Sequence, residues 1–281
     1  MVKKQKKKQP ITARTQPTDA KFKHSRVETA RLIRKFHVLN KELAKCKADP
    51  QFIKREQEIL KEMEAMGGLD WYQKASQLGQ SKSRGGDSSK WLIQTLKSHC
   101  NELVDLCNKP VKVLDIGAVA PDNYKPYSSW ITAKPIDLNP QDPAIQKQDF
   151  LQMKPPSKDD KFDIVCLSLV INFVGDPKDR GQMLKHTRDF FTLPSVAGRL
   201  HHLFLVVPLP CVSNSRYMTH EHLLKMMGSI GYTRCIHNHF SNKLAYYLFE
   251  LTGLPDTTHV EWKKKILQDG GGRNNFAVVM E

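Results

Sequence analysis

The chain has 281 residues, of which 40% are hydrophobic, and this size and composition predict one α/β domain with an appendage. The sequence contains no run of 18 apolar residues, so it predicts no membrane-spanning segment, and no apolar segment follows the basic residues 1–10 as it would in a secretory signal. The six cysteines are scattered, several of them in apolar runs, which indicates free thiols in a reducing compartment.

Positive charge is concentrated at the beginning of the chain. Residues 1–90 contain 22 Lys and Arg against 10 Asp and Glu, so that +12 of the net charge of +15 lies there. Residues 1–24 are predicted to be a disordered basic tail, typical either of a nuclear or nucleolar address or of a solubilising segment. Together with the basic helices that follow, the tail favours RNA or DNA as a partner over an anionic membrane, because it offers no apolar face.

Residues 25–68 have the pattern of a basic helical hairpin. Apolar side chains recur every three or four residues from Val27 to Leu43, and a second stripe runs from Phe52 to Met66. Asp49-Pro50 separates the two helices, and Gly67-Gly68 ends the second. We expect the stripes to form the hairpin core. The basic side chains expected to lie outside them and to contact phosphates are Arg31, Arg34, Lys35, Lys41, Lys45, Lys54 and Arg55.

Residues 69–255 are predicted to form a doubly wound α/β domain with a Rossmann-like sheet. The predicted elements are helix 89–107, strand 111–116, a second strand closed by Ile136-Asp137, strand 162–170, helix 177–191, strand 200–208, helix 220–230, and strands 233–240 and 244–251. A terminal hairpin of this kind is typical of class I methyltransferases and is usually missing from dehydrogenase sheets. Residues 256–281 are predicted to be a C-terminal extension, either an additional strand or a mobile tail.

Four positions fall at predicted strand ends, where open α/β sheets bind their ligands. They are Gly117, Asp137, Asp149 and Ser168. Asp137 follows Gly117 by about twenty residues, the spacing at which an acid binds ribose hydroxyls in dinucleotide folds. The other glycines of G-x-G-x-x-G are missing, as is the ATP loop G-x-x-x-x-G-K-[ST], so no nest of amides would hold a phosphate. The pattern therefore favours S-adenosylmethionine (SAM), which contains adenosine but no phosphate.

Each of these positions suits one part of SAM. Gly117 has no side chain to collide with the methionine moiety, and Asp137 can accept two hydrogen bonds from the ribose diol. Asp149 can accept a hydrogen bond from the adenine amino group, and the amide or the ring of Phe150 can contact the base. Ser168 lies where its strand opens toward the sulfonium.

A glycine- and serine-rich loop at residues 83–90 leads into a helix before the first strand. Its Arg84 is a candidate partner for the cofactor carboxylate. Taken singly, each candidate position has a structural interpretation, because glycine and aspartate often only terminate a strand, and Asp163 is expected to be a solvated turn residue. Taken in order and at these spacings, they favour methyltransferase-like binding of the cofactor.

Two histidine-containing patterns are not predicted to bind a metal. Cys235, His237 and His239 alternate along a strand, which would point all three to one face, but no fourth ligand is evident. The triplet His220-Glu221-His222 lacks the H-E-x-x-H spacing. A Ser-His-Asp hydrolase is poorly supported as well, because no G-x-S-x-G elbow is present.

Several segments together resemble one known family. They are Leu69-Asp70-Trp71-Tyr72-Gln73, Arg84-Gly85-Gly86-Asp87-Ser88-Ser89-Lys90, Leu114-Asp115-Ile116-Gly117-Ala118, Asp137-Leu138-Asn139, Gln148-Asp149-Phe150, Ser168-Leu169-Val170-Ile171-Asn172-Phe173-Val174 and Asn214-Ser215-Arg216-Tyr217. Over residues 69–251 the chain resembles the fungal large-subunit (25S) rRNA adenine-N1 methyltransferases, whose animal relatives are SAM sensors. The resemblance implies a nucleolar enzyme that methylates N1 of one adenine in the large-subunit rRNA of the pre-ribosomal particle. It also implies cofactor contacts at Arg84, Gly117, Asp137, Asp149, Phe150 and Ser168.

N1 methylation makes Asn172 a candidate catalytic residue. Adenine N1 carries a lone pair that needs no general base, so catalysis would consist of aligning a flipped-out base with the sulfonium. Asn172 could bind the Watson–Crick edge of that base while Phe173 stacks on its ring. Alternatively, both residues only begin the following helix, with Phe173 in the core. The Asn-Pro-Pro-aromatic pattern of amino-group methylases is missing, which argues against N6 chemistry.

Two other functions remain compatible with a SAM-binding domain. A non-catalytic SAM sensor would act through a protein partner, and a small-molecule methyltransferase would use the same cofactor. Neither explains the basic tail and the charged hairpin, which favour an RNA substrate.

Overall fold

The computed structural model describes residues 26–47, 50–68, 70, 87–100, 109–191, 199–253 and 261–281. The predicted basic tail at 1–24, Arg84 and most of the segment 69–73 lie outside these ranges. Within them, no helix combines the length and the apolar character that crossing a bilayer requires.

The chain begins its described part with two packed helices, α1 (Arg26–Lys47) and α2 (Ile53–Ala65). Their shared core consists of Leu39, Leu43, Cys46 and Ile59, with Met63 and Met66 packed against it. Two ion pairs tie the helices together across the outside: Lys35 Nζ lies 2.6 Å from Glu62, and Arg55 Nε lies 2.8 Å from Glu42. We call α1 and α2 the helical arm. Its two helices follow the two apolar stripes of the sequence.

The domain that follows is built on a seven-stranded sheet. Its strands are β1 (Val111–Ile116), β2 (Ile131–Asp137), β3 (Gln146–Lys147), β4 (Ile164–Ser168), β5 (His202–Pro208), β6 (Arg234–Phe240) and β7 (Leu244–Glu250). The order across the sheet is β3-β2-β1-β4-β5-β7-β6, and the first five strands run parallel. The terminal hairpin inserts β7 antiparallel to β5. This is the class I methyltransferase arrangement, so the predicted fold class is confirmed.

Helices cover both faces of the sheet. The described helices of this domain are α3 (Ser89–His99), α4 (Pro177–His186), α5 (Pro210–Ser213) and α6 (His220–Ser229). One face of the sheet packs on α4, α5 and α6, and the other packs on α3. The central strands β1, β4 and β5 are therefore buried on both faces, which explains why they are mostly apolar runs in the sequence. The chain order reverses between β1 and β4, and this reversal places the ligand crevice at their carboxyl ends.

The C-terminal segment 261–281 packs on the domain as an extended chain. Phe276, Ala277, Val278 and Met280 are buried, and Trp262 and Met280 form an isolated antiparallel bridge. Gly181 on α4 is needed for this close approach, because a Cβ atom there would lie 1.9 Å from the Val279 carbonyl oxygen. The two alternatives for the chain end were an additional strand and a mobile tail. The described segment is extended and packed, with isolated bridges to the rest of the chain, which is closer to the first alternative.

Two local predictions are wrong. Asp163 is not a solvated turn residue: it is buried, its carboxylate accepts a hydrogen bond from the Lys112 amide at 2.8 Å, and it forms an ion pair with Arg199 at 3.1 Å. Cys235 and His237 do not share a face, because a β-bulge between them shifts the register. Cys235 packs toward the α4 and α6 side, whereas the His237 ring stacks on Trp91 on the α3 side.

Helix ends differ from the sequence prediction at one further place. The predicted helix 177–191 is α-helical only to His186 and continues as a 3-10 turn over Thr187–Phe190. The Thr187 hydroxyl donates to the Leu184 carbonyl and lies 2.6 Å from the buried Tyr232 hydroxyl, so that side-chain bonds hold the tightened turn. Helix α3 ends at His99, and residues 101–107 of its predicted continuation lie outside the described ranges.

Candidate functional site

A cleft opens at the carboxyl ends of β1 and β4. It is lined by Asp87, Ser88, Asp115, Ile116, Gly117, Ala118, Asn123, Tyr124, Cys166, Ser168 and Phe204. The cleft brings together two predicted site residues, Gly117 and Ser168. Asp137, Asp149, Phe150 and Asn172 are not part of this lining in the described chain, and Arg84 lies outside the described residues.

Gly117 makes the tight turn that opens the cleft. Its backbone has φ +74°, and a Cβ atom there would lie 2.6 Å from Val170 Cγ2. The amides of Gly117 and Ala118 both donate to the Ile136 carbonyl, at 2.8 and 3.1 Å, which fixes the turn against β2. A side chain at this position would be strained and would collide with the segment after β4, so only glycine leaves the strand end open.

Asp137 lies at the end of the neighbouring strand β2. In the parallel register Ile116 pairs with Ile136, so that Asp137 stands beside the Gly117 turn. It is buried, and its Oδ1 accepts a hydrogen bond from the Asn139 amide at 2.7 Å. Asn139 Nδ2 in turn donates to Asp70 at 3.1 Å, so the chain just after the helical arm reaches the end of β2.

Asp149 and Phe150 have local structural roles. Asp149 Oδ1 accepts a hydrogen bond from the Leu151 amide at 2.9 Å and caps the 3-10 turn Phe150–Gln152. The Phe150 ring is buried in the core, with ring centroids 5.0 Å from both His186 and Phe190. Of the two contacts predicted for Phe150, the ring contact is therefore wrong, and the amide contact stays a prediction.

Ser168 connects the end of β4 to the beginning of α3. Its hydroxyl lies 2.8 Å from the Ser88 hydroxyl. Asp87 beside it accepts hydrogen bonds from the amide and the hydroxyl of Ser89, which anchors the first turn of α3. The described end of the glycine- and serine-rich loop therefore forms one wall of the cleft.

Asp115 is the site residue that the sequence reasoning missed. It lies inside β1, is buried, and accepts a hydrogen bond from Asn123 Nδ2 at 3.3 Å. Desolvation, opposed by the hydrogen bond from Asn123 and assisted by the charge of Asp87, raises the pKa of Asp115 to about 7. An acid in an apolar strand was the available signal, because a buried carboxyl without a fixed cation is expensive unless a ligand neutralises it.

The chain leaves β4 in a strained conformation. Leu169 has φ +59°, a left-handed conformation that non-glycine residues rarely adopt, and its amide donates to the Val206 carbonyl at 2.9 Å. This turn brings Val170 back against Gly117. Backbone strain of this kind costs about 1–3 kcal/mol and persists where the surrounding structure holds it, often at functional sites. We call residues 169–176 the post-β4 loop.

The helical arm holds the post-β4 loop from outside. Asn40 Nδ2 donates to the Phe173 carbonyl at 2.7 Å, and the Phe173 ring stacks on Phe36 with centroids 5.9 Å apart. His37 contacts the same ring edge-on. The arm therefore covers one face and one edge of the partly buried Phe173 ring, and the suggested stacking of this ring on a substrate base stays a prediction.

Arg180 on α4 holds the same loop from inside. Its guanidinium is buried and donates to the carbonyls of Val174, Gly175 and Ala277, and it lies over the Phe276 ring. Asn172 directly precedes the anchored Phe173, and its Oδ1 is buried and has no hydrogen-bond donor among the described residues. The geometry thus leaves one polar acceptor of the loop for a ligand.

The cleft fits SAM in its chemistry. The buried Asp115 suits a cationic ligand, and the ammonium and sulfonium of SAM are both positive. Gly117 ends β1 in a tight turn without a side chain, and Asp137 ends the adjacent strand. No group of three His, Cys, Asp or Glu side chains that could hold a metal ion occurs in the described ranges.

Comparisons with known proteins identify the family. The family model described as "25S rRNA (adenine(2142)-N(1))-methyltransferase, Bmt2" matches residues 57–278. The Schizosaccharomyces pombe protein "25S rRNA adenine-N(1) methyltransferase" is 37% identical over 253 residues, which are 88% of this chain and 90% of that protein. The Saccharomyces cerevisiae protein "25S rRNA (adenine(2142)-N(1))-methyltransferase" is 36% identical over 225 residues, 79% of this chain and 63% of that protein.

Among solved structures, a SAM-dependent methyltransferase from Clostridium acetobutylicum aligns with a TM-score of 0.43 and 15% identity, over 65% of this chain and 99% of that chain. The resemblance predicted from the sequence motifs is confirmed by the family model and by the two yeast relatives. Because the family model covers most of the chain and the fission yeast relative aligns along nearly its whole length, the chain belongs to the Bmt2 family of 25S rRNA (adenine(2142)-N(1))-methyltransferases.

Proposed function

We propose that this protein transfers a methyl group from SAM to N1 of an adenine in 25S rRNA, within the pre-ribosomal particle of the nucleolus. The observation that carries this function is the cleft at the ends of β1 and β4, where a buried acid, a glycine turn and two hydroxyls meet. Both yeast relatives are named for adenine-N1 methylation of 25S rRNA. The charge of +12 in residues 1–90 supports a polyanionic substrate.

The chain's own residues hold the two reactants. When bound, SAM supplies a methyl group that its sulfonium activates. Asp115 neutralises the positive charge of the cofactor, and Asp137 accepts hydrogen bonds from its ribose. Asp149 would accept a hydrogen bond from the adenine amino group of the cofactor, in addition to the one that its Oδ1 accepts from the Leu151 amide.

The target atom needs alignment and not activation. Adenine N1 has an in-plane lone pair that is unprotonated at neutral pH, so no general base is required. A paired or stacked adenine is first flipped out of its helix. The post-β4 loop then positions the base against the methyl donor and excludes water.

Asn172 Oδ1 accepts a hydrogen bond from the exocyclic amino group of the target adenine. An unsatisfied buried acceptor costs about 1–3 kcal/mol, and a bound amino group removes that cost. This contact leaves N1 free to attack, whereas a donor aimed at N1 would occupy its lone pair. Asn172 is therefore the candidate catalytic residue of the loop.

Incubation with labelled SAM and deproteinised 25S rRNA, followed by mapping of methylated adenines, tests the function. We expect one adenine to carry the label at N1. Gly117→Arg should abolish labelling and cofactor binding together. Asn172→Ala should lower kcat by about 10- to 100-fold with an unchanged Kd for SAM, because it removes one hydrogen bond to the substrate base.

Asn242→Ala is the matched control, since Asn242 is exposed in the turn between β6 and β7. It should leave both constants unchanged. Tight cofactor binding without any RNA labelling would instead favour a SAM sensor that acts through a protein partner. Labelling that survives Gly117→Arg would contradict the cleft as the cofactor site.

A further inference from the structure

The C-terminal segment 261–281 is bonded to the loop that follows β5. The Ser215 hydroxyl donates to the Phe276 carbonyl at 2.5 Å, and Ser215 forms an isolated parallel bridge with Asn274. Asn274 Nδ2 also donates to the Pro210 carbonyl at 2.6 Å. Because this loop leaves the carboxyl end of β5, the C-terminal segment reaches the edge of the sheet at which the cleft opens.

The same segment packs directly on the backbone of α4. The Val279 amide donates to the Pro177 carbonyl at 2.9 Å, where α4 begins. One turn further along the helix, a Cβ atom on Gly181 would lie 1.9 Å from the Val279 carbonyl oxygen. The segment can therefore keep this position only while residue 181 has no side chain.

Arg180, the neighbour of Gly181 on α4, connects the C-terminal segment to the post-β4 loop. Its Nη1 donates to the Ala277 carbonyl at 2.6 Å, and its Nε and Nη2 donate to the Val174 carbonyl at 2.8 and 2.7 Å. Its guanidinium lies 4.8 Å from the centroid of the Phe276 ring. Burial lowers the pKa of Arg180 to about 10, so the group stays charged at neutral pH and these hydrogen bonds are charge-assisted.

Val174 follows Asn172 by two residues, so the place of the Val174 carbonyl limits where the Asn172 side chain can lie. We propose that Arg180 is a positioning residue for methyl transfer, through which the C-terminal segment becomes part of the substrate pocket. This inference rests on the function proposed above, in which Asn172 binds the target adenine. The arm fixes the loop at Phe173 through Asn40, and Arg180 fixes it at the next residue.

Single-turnover methylation of 25S rRNA fragments by the full chain, at saturating SAM and RNA, tests the inference. Arg180→Lys keeps the charge, but an ammonium lacks the planar fork of donors that bonds to both carbonyls. We expect this variant to lower the rate about tenfold through misplacement of the base, with an unchanged Kd for SAM. Arg199→Lys is the matched control, because Arg199 pairs with Asp163 just before β4, at the opposite edge of the sheet. It should lower Tm without lowering the rate.

Gly181→Ala perturbs the same connection from the other side. It displaces the C-terminal segment from α4 while Arg180 and the cleft residues stay unchanged, and it should also lower the rate with an unchanged Kd for SAM. Gly228→Ala is the matched control, because Gly228 lies in α6, where a Cβ atom would meet no other atom within 4 Å. This control should keep the wild-type rate.

Combination with Asn172→Ala separates positioning from general support of the fold. If Arg180 acts through Asn172, Arg180→Lys should lower the rate of the Asn172→Ala protein by less than about twofold, while its effect on Tm stays the same. Gly181→Ala takes its place in this cycle if Arg180→Lys does not fold.

Two results would overturn the inference and leave the methyltransferase function standing. One is a wild-type rate in a folded Arg180→Lys or Gly181→Ala protein. The other is a full further loss of rate when either substitution is combined with Asn172→Ala. If wild-type protein labels no RNA, the proposed function itself fails, and this inference fails with it.

Discussion

Replacing Asp115 by Asn is expected to stabilise the free protein and to weaken its binding of SAM. The carboxyl of Asp115 is buried in β1 and accepts a hydrogen bond from Asn123, which an asparagine oxygen can also accept. Burial destabilises the ionised form of this carboxyl, and the pKa rises from the ordinary 3.8 to about 7 mainly through desolvation. The neutral amide avoids this cost, but it also removes the charge that would balance the cofactor.

The size and sign of the effect follow from the two pKa values. Between pH 3.8 and pH 7 the folded protein holds a proton that the unfolded chain has lost, so stability falls as pH rises through this window. The loss amounts to about 4 kcal/mol at pH 8 and about 2 kcal/mol at pH 5. Asp115→Asn should recover up to these amounts, which corresponds to a rise in Tm of up to roughly 10 °C at pH 8.

Two measurements check this expectation. Calorimetry of the free protein at pH 5 and pH 8 should show that the gain from Asp115→Asn is larger at pH 8. Titration with SAM at pH 8 should show an affinity about 10- to 100-fold lower, because a charge-assisted contact is lost. Asp122→Asn is the control, since Asp122 is exposed in the turn after β1.

The reasoning would be refuted by either of two results. If Asp115→Asn destabilises the free protein equally at both pH values, the carboxylate is compensated within the fold and has no need of a cationic ligand. If it binds SAM as tightly as wild-type protein, the positive groups of the cofactor lie elsewhere. Wild-type affinity for SAM should itself weaken as pH falls below 7, because the carboxyl becomes protonated.

Three further substitutions probe other parts of the site and fold. Gly117→Ala should lower the free energy of unfolding by about 1–3 kcal/mol and weaken SAM binding, because φ is +74° and a Cβ atom would collide with Val170. An unchanged unfolding free energy in calorimetry, together with an unchanged affinity for SAM, would contradict the role given to this turn. Asn40→Ala should lower kcat for RNA methylation more than it changes Kd for SAM, because the substitution releases the Phe173 carbonyl. If single-turnover assays give this variant the wild-type rate, the loop needs no support from the arm. Asp163→Ala should lower the free energy of unfolding in urea by about 2–3 kcal/mol without changing the affinity for SAM, because Arg199 and the Lys112 amide lose their partner. An unchanged midpoint of the urea transition would contradict this stabilising role of Asp163.

The sheet was predictable from sequence because its signals are local. Strands buried on both faces appear as short apolar runs, and the hairpin appears as two extended runs around a polar turn. Functional positions at strand ends follow from the same rule, since the carboxyl ends of parallel strands meet at one edge. Gly117 and Ser168 were found in this way, and the structure places both in one cleft.

Features that depend on distant parts of the chain were not predictable. The sequence does not distinguish Asp115 from its neighbours in the motif, because the burial that removes the hydration of its carboxyl depends on tertiary packing. Phe150 is aromatic and could stack on a base. In the fold, however, its ring packs in the core against His186 and Phe190, which are more than thirty residues away along the chain. No glycine or proline in the sequence indicates the bulge between Cys235 and His237, because the bulge depends on how this strand pairs with β7.

The contact between the arm and the post-β4 loop changes what the basic residues can do. An appended basic tail would raise RNA affinity without touching the reaction, because its free energy would be the same in the ground state and the transition state. In this chain, α1 carries exposed Arg31 and Arg34 on one side and presents Phe36 and Asn40 to the loop on the other. Under the proposed function, RNA would bind the exposed side of α1, while the other side of this helix supports the loop that carries Asn172. Arg34→Gln should consequently raise KM alone, whereas Asn40→Ala should lower kcat, and finding the same kinetic effect for both would mean that the arm acts only as a tether.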